Sequence, residues 1–287
     1  MVPFNEQTDY FKANDGTKLF YRAWLPKRRA KKEVFIGIHG AVVHSGNMKT
    51  LGEYFAQRGY PFYAFDQRGQ GHCKEKRRGH MEDYRQNIED IKTFREFIQQ
   101  REKSQKYYLV GHSMGGAESL IFAIDYPSLI HGVLVSSPAF KLKQKKIILA
   151  IQKVSATLLA PLFSKTKINH GIKPRELVHD PHVIQQREKD PLVPDKVTIN
   201  WTREFFRMQA YLKKNIPRLT VPTFFMIAGD DRIVDKTAAI KAFDSIKEKE
   251  KMKLKVYQEH FHENFNEPFQ KRQIVFQDME DFIQTIS

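Results

Sequence analysis

The chain of 287 residues carries 48 Lys and Arg against 33 Asp and Glu, a formal net charge of +15, with 41% hydrophobic and 28% charged residues. These proportions describe a soluble globular chain long enough for a sizeable core, and they exclude a disordered, collagen-like or solenoid architecture. A single cysteine, Cys73, excludes an intrachain disulfide, and no segment reaches the roughly 18 uninterrupted apolar residues of a membrane-spanning helix.

The opening MVPFNEQTDYFKANDG has no basic stretch leading into an apolar run, so a secretory signal is not expected and a cytoplasmic protein is. Asn14-Asp15-Gly16 is a hairpin turn signal, and the alternating Leu19 to Trp24 that follows predicts an antiparallel pair. Val34 to Ile38 is a continuous apolar run of the kind buried on both faces of a sheet; Phe62 to Phe65, Tyr107 to Val110 and Val133 to Val135 repeat it. Helical patterns lie between them, Met48 to Arg58 with Gly59 as a stop, and Tyr84 to Arg101 with Ile88, Ile91, Phe94 and Ile98 at helical spacing. Strand alternating with helix implies a mostly parallel twisted sheet covered on both faces.

From about Lys141 to Arg218 no clean strand is legible, and an inserted helical cap is expected over residues 141–218, dividing a core of residues 1–140 and 219–287. The strand pattern resumes at Val221 to Ala228. A helix from about Lys236 to Lys247, a last strand at Leu254 to Tyr257 and a closing helix from Gln273 to Ile286 complete the order.

Within LVGHSMGGA, Ser113 stands between a strand and a helix with Gly111, Gly115 and Gly116 around it, the pattern of a nucleophile elbow. Glycines are needed there because neighbouring backbone comes too close for side chains. A serine hydroxyl needs a base, and the base needs a carboxylate to orient it and stabilise its cation. In this chain order the acid and then the histidine follow, each in a loop after a strand. Gly229-Asp230-Asp231-Arg232-Ile233-Val234-Asp235 and His260-Phe261-His262-Glu263 occupy those places. Asp230 and Asp231 both remain candidates, with Asp231 favoured by its register, and Asp235 is expected to cap the following helix. His260 and His262 are likewise both open. Backbone N–H groups for an oxyanion are expected at Met114 and, after the first parallel strand, at Ala41. His112 is expected to be a packed residue, Cys73 a small packed residue without a base, and no histidine spacing signals a metal.

HGAVVHSGN, FDQRGQGH, RRGHMEDY, LVGHSMGGA, VLVSSPA, KDPLV, LTVPTFFMIAGDDRIVD and YQEHFHENFNE occur in the order found in monoacylglycerol lipases and related lysophospholipases. Over nearly the whole chain the sequence thus resembles this family of the α/β-hydrolase superfamily. The resemblance implies an α/β-hydrolase fold with Ser113, Asp231 and His262 as catalytic triad and Ala41 and Met114 as oxyanion donors. It further implies single-chain glycerolipid ester substrates, no metal or organic cofactor, and an amphipathic cap that meets substrate at a membrane. The chain departs from the family at Val42-Val43, where a Gly-Glu pair is usual, and at Cys73, Asn47 and Arg187. At Phe265 some members present a second histidine to the glycerol.

The segment Ile147 to Phe163 is apolar at Ile147, Ile148, Ala150, Ile151, Val154, Leu158, Leu159, Leu162 and Phe163, and lysines flank or interrupt it. Such a segment suits either a transient contact with an anionic membrane or simple packing on the core. The leading expectation is hydrolysis of monoacylglycerols through an acyl-enzyme on Ser113. A lysophospholipase and a broader short-chain or aromatic carboxylesterase are the alternatives within that chemistry. From other classes come a non-catalytic lipid-binding protein and a nucleic-acid-binding one. No nucleic-acid partner is expected, since the basic residues are scattered and no recognition motif accompanies them.

Overall fold

The computed structural model describes residues 1–29, 31–73, 78–102, 104, 106–143, 154 and 157–286. β1 (Phe4–Lys12) and β2 (Lys18–Pro26) pair antiparallel around a turn in which Gly16 takes a φ of 82°. That left-handed conformation is why the turn ends in glycine. β2 then pairs antiparallel with β4 (Phe62–Phe65), and from there the sheet is parallel through β3 (Glu33–Ile38), β5 (Lys106–His112), β6 (Gly132–Ser136), β9 (Thr223–Ala228) and β10 (Met252–Tyr257). The eight-stranded order is β1-β2-β4-β3-β5-β6-β9-β10.

Period-two alternation sorts the side chains of each central strand into two cores. On one face Val34, Ile36, Leu109, Val133 and Phe225 meet α2 (Tyr84–Glu102) and α3 (Met114–Asp125). On the other Phe35, Tyr108, Leu134 and Phe224 meet α1 (Lys49–Ala56) and the C-terminal helix α7 (Phe269–Ile286). The continuous apolar runs of the sequence are therefore strands buried on both sides, as expected of a parallel sheet. The expected alternation appears with small shifts at helix ends: the closing helix begins at Phe269, and α6 (Lys236–Asp244) stops three residues early.

Between β6 and β9 the chain leaves the sheet. Residues 157–163 are helical, followed by α4 (Pro181–Glu188) and α5 (Ile199–Asn215). The reading of this stretch as free of strands needs correction. β7 (Lys167–Asn169) and β8 (Lys196–Thr198) form an antiparallel pair, each only three residues long and too short to show a period. The apolar residues Ile147, Ile148, Ala150 and Ile151 lie outside the described residues. Among the described residues, no helix is long and apolar enough to cross a membrane.

Phe55 illustrates how the α1 side is held. It is fully buried and stacks on Phe35 with ring centroids 4.3 Å apart, with Tyr60 and Phe62 closing round it. Phe55→Ala is expected to cost about 3–5 kcal/mol through lost burial and the cavity left behind. Urea denaturation checks this as a lower midpoint at unchanged slope.

Candidate active site

Ser113 sits at the turn from β5 into α3 with φ 53° and ψ −115°, a conformation that L-residues adopt only under strain. The turn is held on both sides, since Ser113 N–H donates to Ser136 O at 2.9 Å and Ser113 O accepts from Ala139 N–H at 3.0 Å. A Cβ at Gly115 would overlap the carbonyl oxygens of Ile38 and His39, and one at Gly111 would overlap the carbonyl of Gly115 and the hydroxyl of Ser119. At Gly40 it would press on the His112 ring and on Ser113 Cβ, at 3.1 and 3.3 Å. The glycines thus let the loop after β3 lie directly against the serine.

Asp231 and His262, from the loops after β9 and β10, meet across the sheet ends. His262 Nδ1 is 2.7 Å from Asp231 Oδ2, both side chains being almost wholly buried. The other carboxylate oxygen of Asp231 accepts the N–H groups of Ile233 and Val234, each at 2.8 Å. Burial opposes ionisation of Asp231, but the neighbouring His262 and these donors outweigh it and hold the carboxyl below its usual range. With Oδ2 on Nδ1, Nε2 is the ring nitrogen left over, and His262 lines one cavity together with Ser113. Asp230 points instead to solvent beside Arg232, at 3.6 Å. His260 is engaged with Asn264 at 3.0 Å. Asp235 caps α6 by accepting Thr237 N–H.

Met114 opens α3, so its N–H has no partner one turn back, and Ala41 lines the same cavity as Ser113. The peptide that carries the Ala41 N–H is held by its own carbonyl. His39 Nδ1 lies 2.8 Å from Gly40 O, and His39 Nε2 accepts the Gln67 N–H at 3.0 Å. Those two partners define a neutral imidazole with its proton on Nδ1. Val42 takes a φ of 51°, which for a buried β-branched residue costs on the order of 1–3 kcal/mol. The loop after β3 therefore carries strain at Val42. His112 is buried with its ring 4.7 Å from that of His262. Cys73 is buried, its thiol donating to Asp66 O and Gln67 O.

Two cavities meet at Ser113. One, of about 500 Å³, is lined by His262, Arg187, Asp190, Asp195 and Glu263. The other, of about 490 Å³, is lined mainly by apolar groups including Leu159, Ile199, Trp201, Phe205 and Phe206. Sequence reasoning did not anticipate the polar network under the first. Arg187 from α4 forms a two-point ion pair with Glu263 and a hydrogen bond with Asn47, and Asn266 donates to Glu263 at 3.0 Å. Burial opposes ionisation of Glu263, but the Arg187 charge keeps its carboxyl at about 2. Glu267 accepts from Phe261 N–H at 2.6 Å and from His179 N–H at 3.1 Å, stitching the histidine loop to the segment before α4. The cluster of Glu263, Asn264, Asn266 and Glu267 directly after His262 was the available signal for this. Phe265, at the position where some family members present a second histidine, is buried in the core, with its ring 6.4 Å from His112 and 6.3 Å from Phe276.

A strained serine elbow, a paired His–Asp and a parallel sheet in this strand order together define an α/β hydrolase of the lipase and esterase kind. The family model described as "Serine aminopeptidase, S33" (Hydrolase_4) matches residues 29–269, and the chain belongs to that family. Phospholipase YtpA of Bacillus subtilis is 30% identical over 257 residues, covering 88% of this chain and 95% of its own. The monoacylglycerol lipase of Mycolicibacterium smegmatis is 26% identical over 286 residues, 99% of each chain. The match to YnbC of Escherichia coli, 26% identical, takes in 96% of this chain but only 46% of that protein. Among solved structures, a soluble variant of the monoglyceride lipase from Saccharomyces cerevisiae, in complex with a substrate analogue, superposes with a TM-score of 0.87 at 23% identity. It covers 100% of this chain and 96% of the other.

Burial holds His39 down at about 4 and His112 at about 3. An unfolded chain binds protons at both sites below its ordinary histidine pKa of about 6.5, so each contributes stability that is lost as pH falls from there toward 4. His39→Asn keeps a donor near the Nδ1 position without the titration. Between pH 6.5 and 4 the wild type is expected to lose about 3 kcal/mol more than this variant, measured by urea denaturation at the two pH values.

Proposed function

We propose that the protein is a serine carboxylic-ester hydrolase that cleaves monoacylglycerols to fatty acid and glycerol through an acyl-enzyme on Ser113. The observation that carries this reading is the meeting of an apolar and a polar cavity at the Ser113 side chain. An amphiphilic ester fits that pair with its chain among Trp201, Phe205 and Phe206 and its alcohol toward Arg187 and Glu263. In this reading Ser113 Oγ attacks the ester carbonyl while His262 Nε2 takes the hydroxyl proton, and Asp231 stabilises the resulting imidazolium. Charge on the carbonyl oxygen develops toward the N–H groups of Ala41 and Met114. His262 then returns the proton to the departing alcohol, activates a water, and the second half-reaction releases the acid and frees Ser113.

A lysophospholipid is the second reading, supported by Arg187 and Lys189 on the polar cavity and by the likeness to a protein named a phospholipase. Arg187 is already neutralised by Glu263 and bonded to Asn47, which favours an uncharged polyol over a phosphate. Fatty-acid release is expected to be faster from monooleoylglycerol than from oleoyl-lysophosphatidylcholine. Ser113→Ala and Asp231→Asn should each lower it by a factor of about 10⁴ or more. Equal turnover by Ser113→Ala would sink the reading, and a reversed order of substrates would transfer it to the phospholipid.

Residues 141–218 are taken as the cap. Within it Val154, Leu158, Leu162 and Phe163 are 56%, 68%, 81% and 52% exposed, next to Lys165 and Lys167. Ala160 alone on that turn is buried, against Ile199. An apolar, basic outer face of this kind supports a transient contact with an anionic membrane, where each basic side chain contributes about 1 kcal/mol. The double variant Leu158→Ser/Leu162→Ser is expected to sediment less with phosphatidylserine vesicles while its hydrolysis of a water-soluble ester is unchanged. Binding by the wild type that is indifferent to both vesicle charge and this substitution would remove the proposed contact.

A further inference from the structure

Behind the loop that carries Ala41 runs a row of buried polar side chains that the hydrolytic steps above do not use. Glu118, on the second turn of α3, is wholly buried, and its Oε1 accepts from Asn87 Nδ2 at 2.9 Å. Asn87, from α2, also donates to Gln67 Oε1 at 3.3 Å. Gln67, just after β4, donates through Nε2 to His39 O at 2.7 Å, and its own N–H donates to His39 Nε2. His39 in turn holds Gly40 O through Nδ1, and Gly40 O belongs to the same peptide as the Ala41 N–H. The amide orientations are not free choices. Turning Gln67 over would set its oxygen against His39 O and its nitrogen against Asn87 Nδ2, losing both bonds.

We propose that Glu118 and Asn87 are positioning residues for the oxyanion hole, acting on the Gly40–Ala41 peptide through Gln67 and His39. The proposal rests on the reading of Ala41 as an oxyanion donor. Two constraints make the row more than packing. Gly115 already brings α3 against the Ile38 and His39 carbonyls, so the peptide cannot retreat toward the helix. Val42, one residue beyond Ala41, is held at a positive φ, so the loop needs outside support to keep a strained conformation.

The row also demands a neutral Glu118. Its Oε2 is buried without a hydrogen-bond partner, which suits a carboxylic acid and not a carboxylate. Burial, reinforced by the Asp90 carboxylate on α2, raises its pKa to about 8, while Asn87 and Gln67 favour the charged form. Asp90 is itself paired with Arg68, which follows Gln67. An ionised Glu118 would compete with His39 O for the Gln67 amide N–H and so withdraw the support of the oxyanion loop. Substrate binding does not involve these residues, so their effect should fall on kcat.

The test compares wild type with Glu118→Leu, Asn87→Leu and Glu118→Gln on monooleoylglycerol, with active sites titrated by a fluorophosphonate so that misfolded protein is not counted. Each leucine variant is expected to lose at least tenfold in kcat with KM within threefold. Glu118→Gln, a neutral mimic of the acid, should restore most of that loss at pH 7. Because Gln has nearly the size and shape of the neutral acid, a second readout does not depend on the leucine variants: wild-type kcat should fall above about pH 8, and this alkaline limb should be absent from Glu118→Gln. Unchanged kcat per titrated site in the leucine variants, or identical alkaline limbs in wild type and Glu118→Gln, overturns the relay. Hydrolysis retained by Ser113→Ala overturns the relay together with the reading of the site. Loss in Ser113→Ala beside unchanged kcat in Glu118→Leu overturns the relay alone.

Discussion

Backbone-to-backbone contact at the carboxyl ends of β3 and β5 is the constraint on which the site depends. Gly40, Gly111 and Gly115 let the loop after β3, the elbow and the first turn of α3 come closer than any side chain would allow. That closeness sets the Gly40–Ala41 segment and the start of α3 directly beside Ser113. The strain at Ser113 is sustained because its N–H and C=O are both bonded to the β6 strand end and the loop beyond it. The buried polar row from Glu118 to His39 belongs to the same arrangement, because a loop pressed this tightly needs partners for every backbone group it buries.

Charge is distributed unevenly in a way the net value of +15 conceals. Among the described residues nearly all Lys and Arg are at least partly exposed, whereas the buried ionisable groups near Ser113 are mostly carboxylates and neutral imidazoles. The buried carboxylates of the acid and histidine loops are each paired: Asp231 has His262 and two backbone donors, Glu263 has Arg187, and Glu267 has His179 and the Phe261 N–H. Burial of these charges is tolerated only because the pairing is complete, and it fixes the histidine loop more firmly than apolar packing would. Arg187 couples that loop to α4, so the segment between β6 and β9 is tied to the chemistry as well as lying over it.

That segment contrasts with the sheet. The core strands are covered on both faces, while Leu158, Leu162 and Phe163 leave a large apolar area in water. An apolar patch rimmed by lysines has a cost in solubility that an interaction surface would offset. The inner side, formed by Trp201, Phe205 and Phe206, turns the same stretch of chain into one wall of a cavity.

Much of this was legible in the sequence because it follows from local rules. Buried parallel strands read as continuous apolar runs, the hairpin announced itself through Asn14-Asp15-Gly16, and the crowding at an elbow leaves glycines at fixed offsets from Ser113. The order of motifs pointed to the family and its fold. What the sequence left open were choices between neighbours a residue or two apart. Asp231 pairs with His262, and Asp230 does not, because the turn after β9 aims one side chain inward and the next into water. The direction of Phe265 was open for the same reason: three residues of loop carry it into the core, and no period marks which way a loop side chain turns. The strands β7 and β8, the Arg187–Glu263 pair and the row from Glu118 to His39 join residues 20 to 76 positions apart. Such contacts are made only when the sheet brings distant loops to one edge, so composition and spacing determine the elements and their chemistry, while packing decides which side chains meet.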